Sequence, residues 1–211
     1  MALYVPRKFA VDAPSAIEAL IDEHPFATLI TPAAPEPYVS HVPLLREPRA
    51  DGGIALIGHF ARANPHWEQA AGTVSVAIFH GPHAYVSPTW YEAPADAVPT
   101  WNFATVHVHG SLEFLTAPAQ AERVLEALVE RFEGRGDDAW RFAMTGRQRE
   151  AMVSNIVAFR IVAQRVSAKN KLSQNRAQSD RRRVIDTLEA STHAESRATA
   201  AWMRRFAQPD G

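Results

Sequence analysis

The sequence predicts a mainly β fold: a small antiparallel barrel decorated with helices. Three observations predict it. Short β-rich runs recur between turns marked by Pro and Gly, and the chain carries 15 Pro in 211 residues. One long run near Asn102–Phe114 alternates, with Val106, Val108, Gly110, Leu112 and Phe114 on one face and Thr105, His107, His109, Ser111 and Glu113 on the other. Apolar residues make up 46% and charged residues 21%, enough apolar material for a core and too much for a disordered chain. The length fits one large domain, or a core (residues 1–176) with a helical C-terminal extension (177–211).

The elements follow in order. After extended Tyr4-Val5-Pro6, a short helix carries Ile17, Leu20 and Ile21 as its buried stripe. Asp12 or Ser15 could cap it, Pro14 suits its first turn, and Pro25 ends it. Phe26 to Thr31, Tyr38 to Leu45 and Ile54 to Phe60 read as strands of a meander, separated by PAAPEP and by Asp51-Gly52-Gly53. Asn64 and Pro65 open a short helix that ends at Gly72. Thr73 to His80 and Ala84 to Ser87 are two more strands, and Glu92 to Pro99 is a loop. The alternating strand comes next. Helices are expected over Pro118 to Phe132, with Leu125, Leu128, Val129 and Phe132 as apolar face, and over about Gly146 to Asn155. Val157 to Val166 closes the sheet, and Ser179 to Phe206 is a polar helical tail.

Composition removes whole classes. No Cys means no disulfide scaffold, no thiolate nucleophile and no Cys zinc site. With 22 Lys+Arg against 23 Asp+Glu, the net charge of −1 does not attract polyanions in bulk. No run approaches a membrane span, and MALYVPRKFAVDAP does not read as a signal peptide, so a cytoplasmic location is expected. There is no Walker loop, no GxGxxG and no GxSxG, and carboxylates are sparse around the distinctive motifs, which leaves little support for a hydrolase.

Four segments carry donors and rings. Gly58 to Trp67 (GHFARANPHW) joins a strand to a helix; helix starts gather free N–H groups, Arg62 can grip a phosphate, and Gly58 lets a ligand approach. A capped surface helix is the plainer reading. His80 to Tyr91 (HGPHAYVSPTWY) and Val98 to Phe103 (VPTWNF) collect aromatics and hydroxyls that suit a flat heteroaromatic ligand, or an ordinary packed interface. Lys169 to Arg176 (KNKLSQNR) is either a solvated link or a clamp on phosphate or ribityl oxygens. Of the His set (His41, His59, His80, His83, His107, His109), His107 and His109 share a strand face at a spacing that can chelate, but no Asp or Glu lies near His41, His59, His80 or His83 and no HExxH occurs, so no metal site is expected. Arg181-Arg182-Arg183 is flanked by Asp180, Asp186 and Glu189 and reads as a solvated helix face.

Taken together, MALYVPRKFA, SHVPLL, GHFARANPHW, IFHGPHAYVSPTWY, VPTWNF with VHVHG, and KNKLSQNR resemble the PaiB-type proteins, described as FMN-binding negative transcriptional regulators. The resemblance runs from Tyr4 to about Arg176. It implies an FMN-binding split β-barrel with peripheral and C-terminal helices, forming a homodimer with the flavin at the subunit interface. It places His59, Arg62 and Asn64 near the phosphate. Tyr85, Ser87, Thr100, Trp101 and Asn102 would line the cleft, and Lys171, Ser173 and Gln174 match the C-terminal motif. A polar His107/His109 face could meet its symmetry mate. Two other readings compete: an FMN-dependent oxidoreductase of the flavin or nicotinamide reductase type, and a barrel binding haem or another planar ligand. DNA is a possible partner that the charge does not favour.

Overall fold

A computed structural model describes residues 3–206; the first two residues of the opening motif and residues 207–211 lie outside the described residues. In chain order the elements are α1 (Pro14–Glu23), β1 (Phe26–Thr31), β2 (Tyr38–Pro43), β3 (Leu45–Glu47), β4 (Ala55–Ala61), α2 (His66–Ala70), β5 (Val74–Val86), β6 (Thr100–Phe114), α3 (Pro118–Glu133), α4 (Gly146–Ser154), β7 (Ile156–Val162), β8 (Arg165–Lys171), α5 (Gln178–Glu189) and α6 (Ala194–Phe206). The strand order is β2-β1-β5-β6-β7-β4-β3, with β8 beside β6. The pairings β1–β2, β1–β5, β3–β4, β4–β7 and β6–β7 are antiparallel.

The chain divides into two compact units, and the long strands β5 and β6 each contribute to both. The first unit comprises the described residues through His24, His80–His107, and Ser167 onward. In it, Leu20 and Ile21 of α1, Ala104 and Val106 of β6, Leu172, and Val184, Leu188 and Met203 of α5 and α6 are buried. Gly81 sits where a Cβ would come within 3.0 Å of Leu20 and 3.1 Å of Ala104, so these elements approach closely at a glycine.

The second unit comprises Pro25–Phe79 and Val108–Val166. Its strands β4 and β7 pair over the full length of both, from Ala55↔Val162 to Ala61↔Ile156. Helices α3 and α4 bury Ala121, Val124, Leu125, Leu128 and Val153 together with Ala158, and Leu45, Ile57, Leu115 and Ile156 pack around them. The 3.6-residue spacing of Ala121, Leu125 and Leu128 is what turns that stripe toward the strands.

Five expectations change. The two strands expected over 73–80 and 84–87 are one strand, because Gly81-Pro82 lies within β5 and does not turn the chain. The strand over Tyr38 to Leu45 breaks at fully buried Leu44, whose N–H bonds the Pro25 carbonyl. The closing strand is two, β7 and β8, so the Lys-rich motif begins inside a strand. The tail forms two helices with a break at Ala190 to His193. Finally, α1 takes neither Asp12 nor Ser15 as its cap; Ala13 holds that place with no side-chain bond.

Candidate functional site

The predicted residues fall into one group in each unit. In the first unit, β6 begins at Thr100 and β8 ends at Lys171, and the ladder between these strands brings the two ends together. The Lys171 ammonium donates to the Thr100 hydroxyl and, at 2.6 Å, to the Trp101 carbonyl. It forms no ion pair among the described residues. Burial, then the positive charges of Lys169 and Arg176, push its pKa below the ordinary lysine value. A cation held among cations, with only neutral acceptors, is poised to take an anion.

Beside it, Trp101 is 53% exposed and Tyr85 is 45% exposed. The Tyr85 ring meets Trp101 edge-on, with centroids 6.2 Å apart, and the His83 ring lies 6.1 Å away on a tilted plane. These are exposed rings on sheet strands, positioned by period-2 alternation along β5 and β6.

Four other residues of this group have work inside the fold. Asn102 is fully buried; its amide donates to Ser173 Oγ at 3.0 Å and reaches Met203 Sδ at 3.4 Å. Ser173 itself adopts a left-handed backbone, φ 65°. Gln174 folds back on its own segment, accepting from the Leu172 N–H at 2.7 Å and donating to the Asn170 carbonyl at 2.6 Å. Ser87 caps a short helical turn at Pro88–Trp90 by accepting the Thr89 N–H. The sequence also left Arg176 and Lys169 unassigned: the Arg176 guanidinium stands 4.4 Å over the Tyr91 ring, and Lys169 lies over the Phe103 ring at 5.2 Å. The signal for the two lysines is their i, i+2 spacing, which puts both on one face of a strand.

In the second unit, the segment between β4 and α2 is occupied differently from the expectation. Helix α2 has only five residues, and the Asn64 side chain already takes the His66 N–H at 3.0 Å. Arg62 donates to the carbonyls of Ser154 and Ile156, at 2.5 and 2.7 Å, which ties this turn to the end of α4 and the start of β7. Gly58 makes room for protein, since a Cβ there would come 2.6 Å from Leu44 Cδ2 and 3.0 Å from the Pro43 carbonyl. His59 is held on β4 opposite Ala158, and its buried Nδ1 has no hydrogen-bond partner. Desolvation lowers its pKa, so the ring is neutral at pH 7.

The same unit contains a network that the sequence did not flag. Fully buried His66 bonds Ser40 Oγ through Nδ1 and Thr31 Oγ1 through Nε2, both at 2.8 Å. Thr31 continues to Ser75 at 2.6 Å, and Asn64 donates to Ser40 at 3.0 Å. Every member is satisfied, which makes the network a specifier of this packing. Among the described residues no cluster of three or more His, Cys, Asp or Glu side chains is placed to hold a metal ion.

Comparison with known proteins decides the family. The model of the family described as "Putative FMN-binding domain" matches residues 3–165. A Bacillus subtilis protein named Protease synthase and sporulation protein PAI 2 is 32% identical over 204 residues, covering 95% of this chain and 96% of that protein. The chain belongs to the PaiB-type FMN-binding family. An uncharacterised protein of Emericella nidulans is a further relative, 27% identical over 83% of this chain and 86% of its own. Among solved structures, the flavocytochrome Anf3 from Azotobacter vinelandii superposes with a TM-score of 0.64 at 15% identity, over 80% of this chain and 72% of that one. An FAD and haem binding protein from Mycobacterium smegmatis gives 0.60 at 16%, over 76% and 72%. The fold is therefore a mainly β split barrel like theirs, and no helix among the described residues is long and apolar enough to cross a membrane.

The family's cofactor is FMN, an anionic molecule with a flat heteroaromatic ring. The residues present fit such a group. In the first unit, Lys171 offers an ammonium without a carboxylate partner, and Trp101 and Tyr85 offer exposed rings for stacking. A bound flavin would supply one- or two-electron redox chemistry.

Proposed function

We propose that this chain binds FMN as a homodimer and acts as a negative transcriptional regulator of the PaiB type. The observation that carries the binding part is the Lys171 ammonium, desolvated and set between neutral acceptors beside the exposed Tyr85–Trp101 pair. In this reading Trp101, Tyr85 and Thr100 contact the ring, and Lys171 faces its electron-rich edge or the phosphate. In the second unit, His59, Arg62 and Asn64 are by themselves a separate candidate anion contact. Arg62 retains N–H groups beyond its two carbonyl bonds. Asn102, Ser87, Ser173 and Gln174 support these positions through the bonds described above.

The regulatory part rests on the similarity to the sporulation protein PAI 2. Three of the basic residues of α5 and α6 are neutralised by carboxylates. Arg183 approaches Glu92, Arg204 is bound to Glu189, and Arg205 to Glu23. Two measurements test the proposal. The purified protein should be yellow, with flavin absorption corresponding to one FMN per chain. Gel shifts on promoter fragments, run with and without FMN at physiological salt, should show a complex; a shift that vanishes as salt approaches that level marks plain charge attraction and contradicts direct recognition.

A further inference from the structure

Helices α3 and α4 do not seal the second unit completely. Between them, the end of β6 and the start of β7 lies a cavity of about 520 Å³, a size that suits a small molecule, and its lining comes entirely from this unit. The wall is mostly apolar, with Leu115, Val153 and Ile156 beside the rings of Trp67 and Phe114, which meet edge-on with centroids 6.1 Å apart. The bonds around the cavity hold it open. Arg62 reaches from the β4–α2 turn to the Ser154 and Ile156 carbonyls, Trp67 Nε1 donates to the Arg62 carbonyl at 3.1 Å, and the Leu115 N–H bonds the Ala158 carbonyl at 2.9 Å.

The charged side chains on this wall are Arg62, Glu122 and Glu150. Glu122 is already held by Arg149, at 3.2 Å. Arg62 and Glu150 are exposed, and neither makes an ion pair among the described residues. Arg62 uses only Nε and Nη2 on the two carbonyls, so the remaining N–H groups of its guanidinium fork are still to be satisfied. Glu150 precedes Ser154 by four residues on α4. It therefore stands one helical turn, ~5.4 Å, from the residue whose carbonyl Arg62 binds. The cavity thus joins an apolar, ring-lined interior to a cation and a carboxylate that lie close together and lack partners.

We infer that this cavity binds a free α-amino acid with an aromatic side chain. Its carboxylate meets Arg62, its ammonium meets Glu150, and its ring fills the space against Trp67 and Phe114. The two charges of such a zwitterion flank one carbon, so a single small molecule can satisfy both side chains. A simple carboxylate would leave its negative charge facing Glu150, a simple amine would face Arg62, and a doubly charged phosphate ester is opposed by Glu150 more strongly still. The inference does not rest on the FMN reading: it uses no residue of the first unit, and its test needs no flavin.

Calorimetric titration of the full chain tests it with L-phenylalanine, with 3-phenylpropionate, which lacks the ammonium, and with phenethylamine, which lacks the carboxylate. Wild type should bind one L-phenylalanine per chain and each truncated probe about 5-fold more weakly, as expected for a partly exposed charged contact. Glu150→Gln should remove the advantage of L-phenylalanine over 3-phenylpropionate and keep its advantage over phenethylamine. Arg62→Gln, checked by circular dichroism because Arg62 also ties two elements together, should do the reverse. Thr116→Trp, at an exposed position on the wall, should block the cavity and abolish binding. Equal affinity of wild type for all three probes overturns the inference, as does a Glu150→Gln variant that keeps the full wild-type preference. L-Phenylalanine that binds Thr116→Trp as well as wild type sits elsewhere, which overturns it too. So does the absence of any binding at millimolar concentration.

Discussion

At the scale of single residues, burial decides which of the sequence's candidates are free to act. Asn102 and Lys171 both looked like ligand contacts by composition, yet one is sealed inside a pair with Ser173 and the other is a cation without an anion. Lys171 carries a pH prediction. Its lowered pKa means the positive charge is lost sooner than on an ordinary lysine as pH rises, so FMN affinity should fall in the alkaline range; affinity that stays level to the top of that range contradicts the assignment. Fully buried His66 carries another. Desolvation lowers its folded-state pKa from the ordinary 6.5, so below that pH the unfolded chain binds the extra proton more readily. Stability is then full above about 6.5 and falls as pH drops toward the folded-state value, by at most about 1.4 kcal/mol per unit for this one group. Urea melts at pH 7.5 and pH 5 measure this, and His66→Asn should flatten the difference. Arg62→Ala should both weaken FMN binding and cost about 1–2 kcal/mol of stability, since two charge-assisted bonds to carbonyls disappear. A variant with wild-type melting and wild-type FMN affinity would leave Arg62 with neither role.

At the scale of elements, what was legible in the sequence is what periodicity encodes. The alternation of β6 and the apolar stripe of α3 were readable because 2.0 and 3.6 residue repeats are local facts. Gly81-Pro82 misled, because its turn chemistry was overridden: Gly81 lies close against Leu20 and Ala104, and the strand runs straight through. On β6, Thr105 and His109 are buried despite their polarity. Burial of that kind comes from partners distant in sequence. The His66 network was invisible for the same reason, since Ser40, Thr31 and Ser75 meet it only through the sheet. Gly110 supplies the test at this level. A Cβ on it would strike the Val162 carbonyl and sit 2.8 Å from Ile161 Cγ2, so Gly110→Ala should destabilise the fold by about 1–3 kcal/mol. Thermal melting checks it, and an unshifted midpoint would mean the β6–β7 approach is looser than described.

At the scale of the whole molecule, a split barrel with nearly balanced charge binds by local arrangement and not by its overall field. Family membership supplies the cofactor, and the side chains say which part of the chain is ready for it. That readiness is concentrated where β6 begins and β8 ends, beyond the last residue matched by the family model for Lys171 and Arg176. Titrating flavin-free protein with FMN, for wild type, Lys171→Arg and Lys171→Met, tests that central claim most directly, with bound flavin read from fluorescence quenching. The account predicts tight binding by wild type, most of it retained by Lys171→Arg, and a loss on the order of 10-fold or more in Lys171→Met, as expected for one charge-assisted bond. Equal FMN affinity in wild type and Lys171→Met would contradict it.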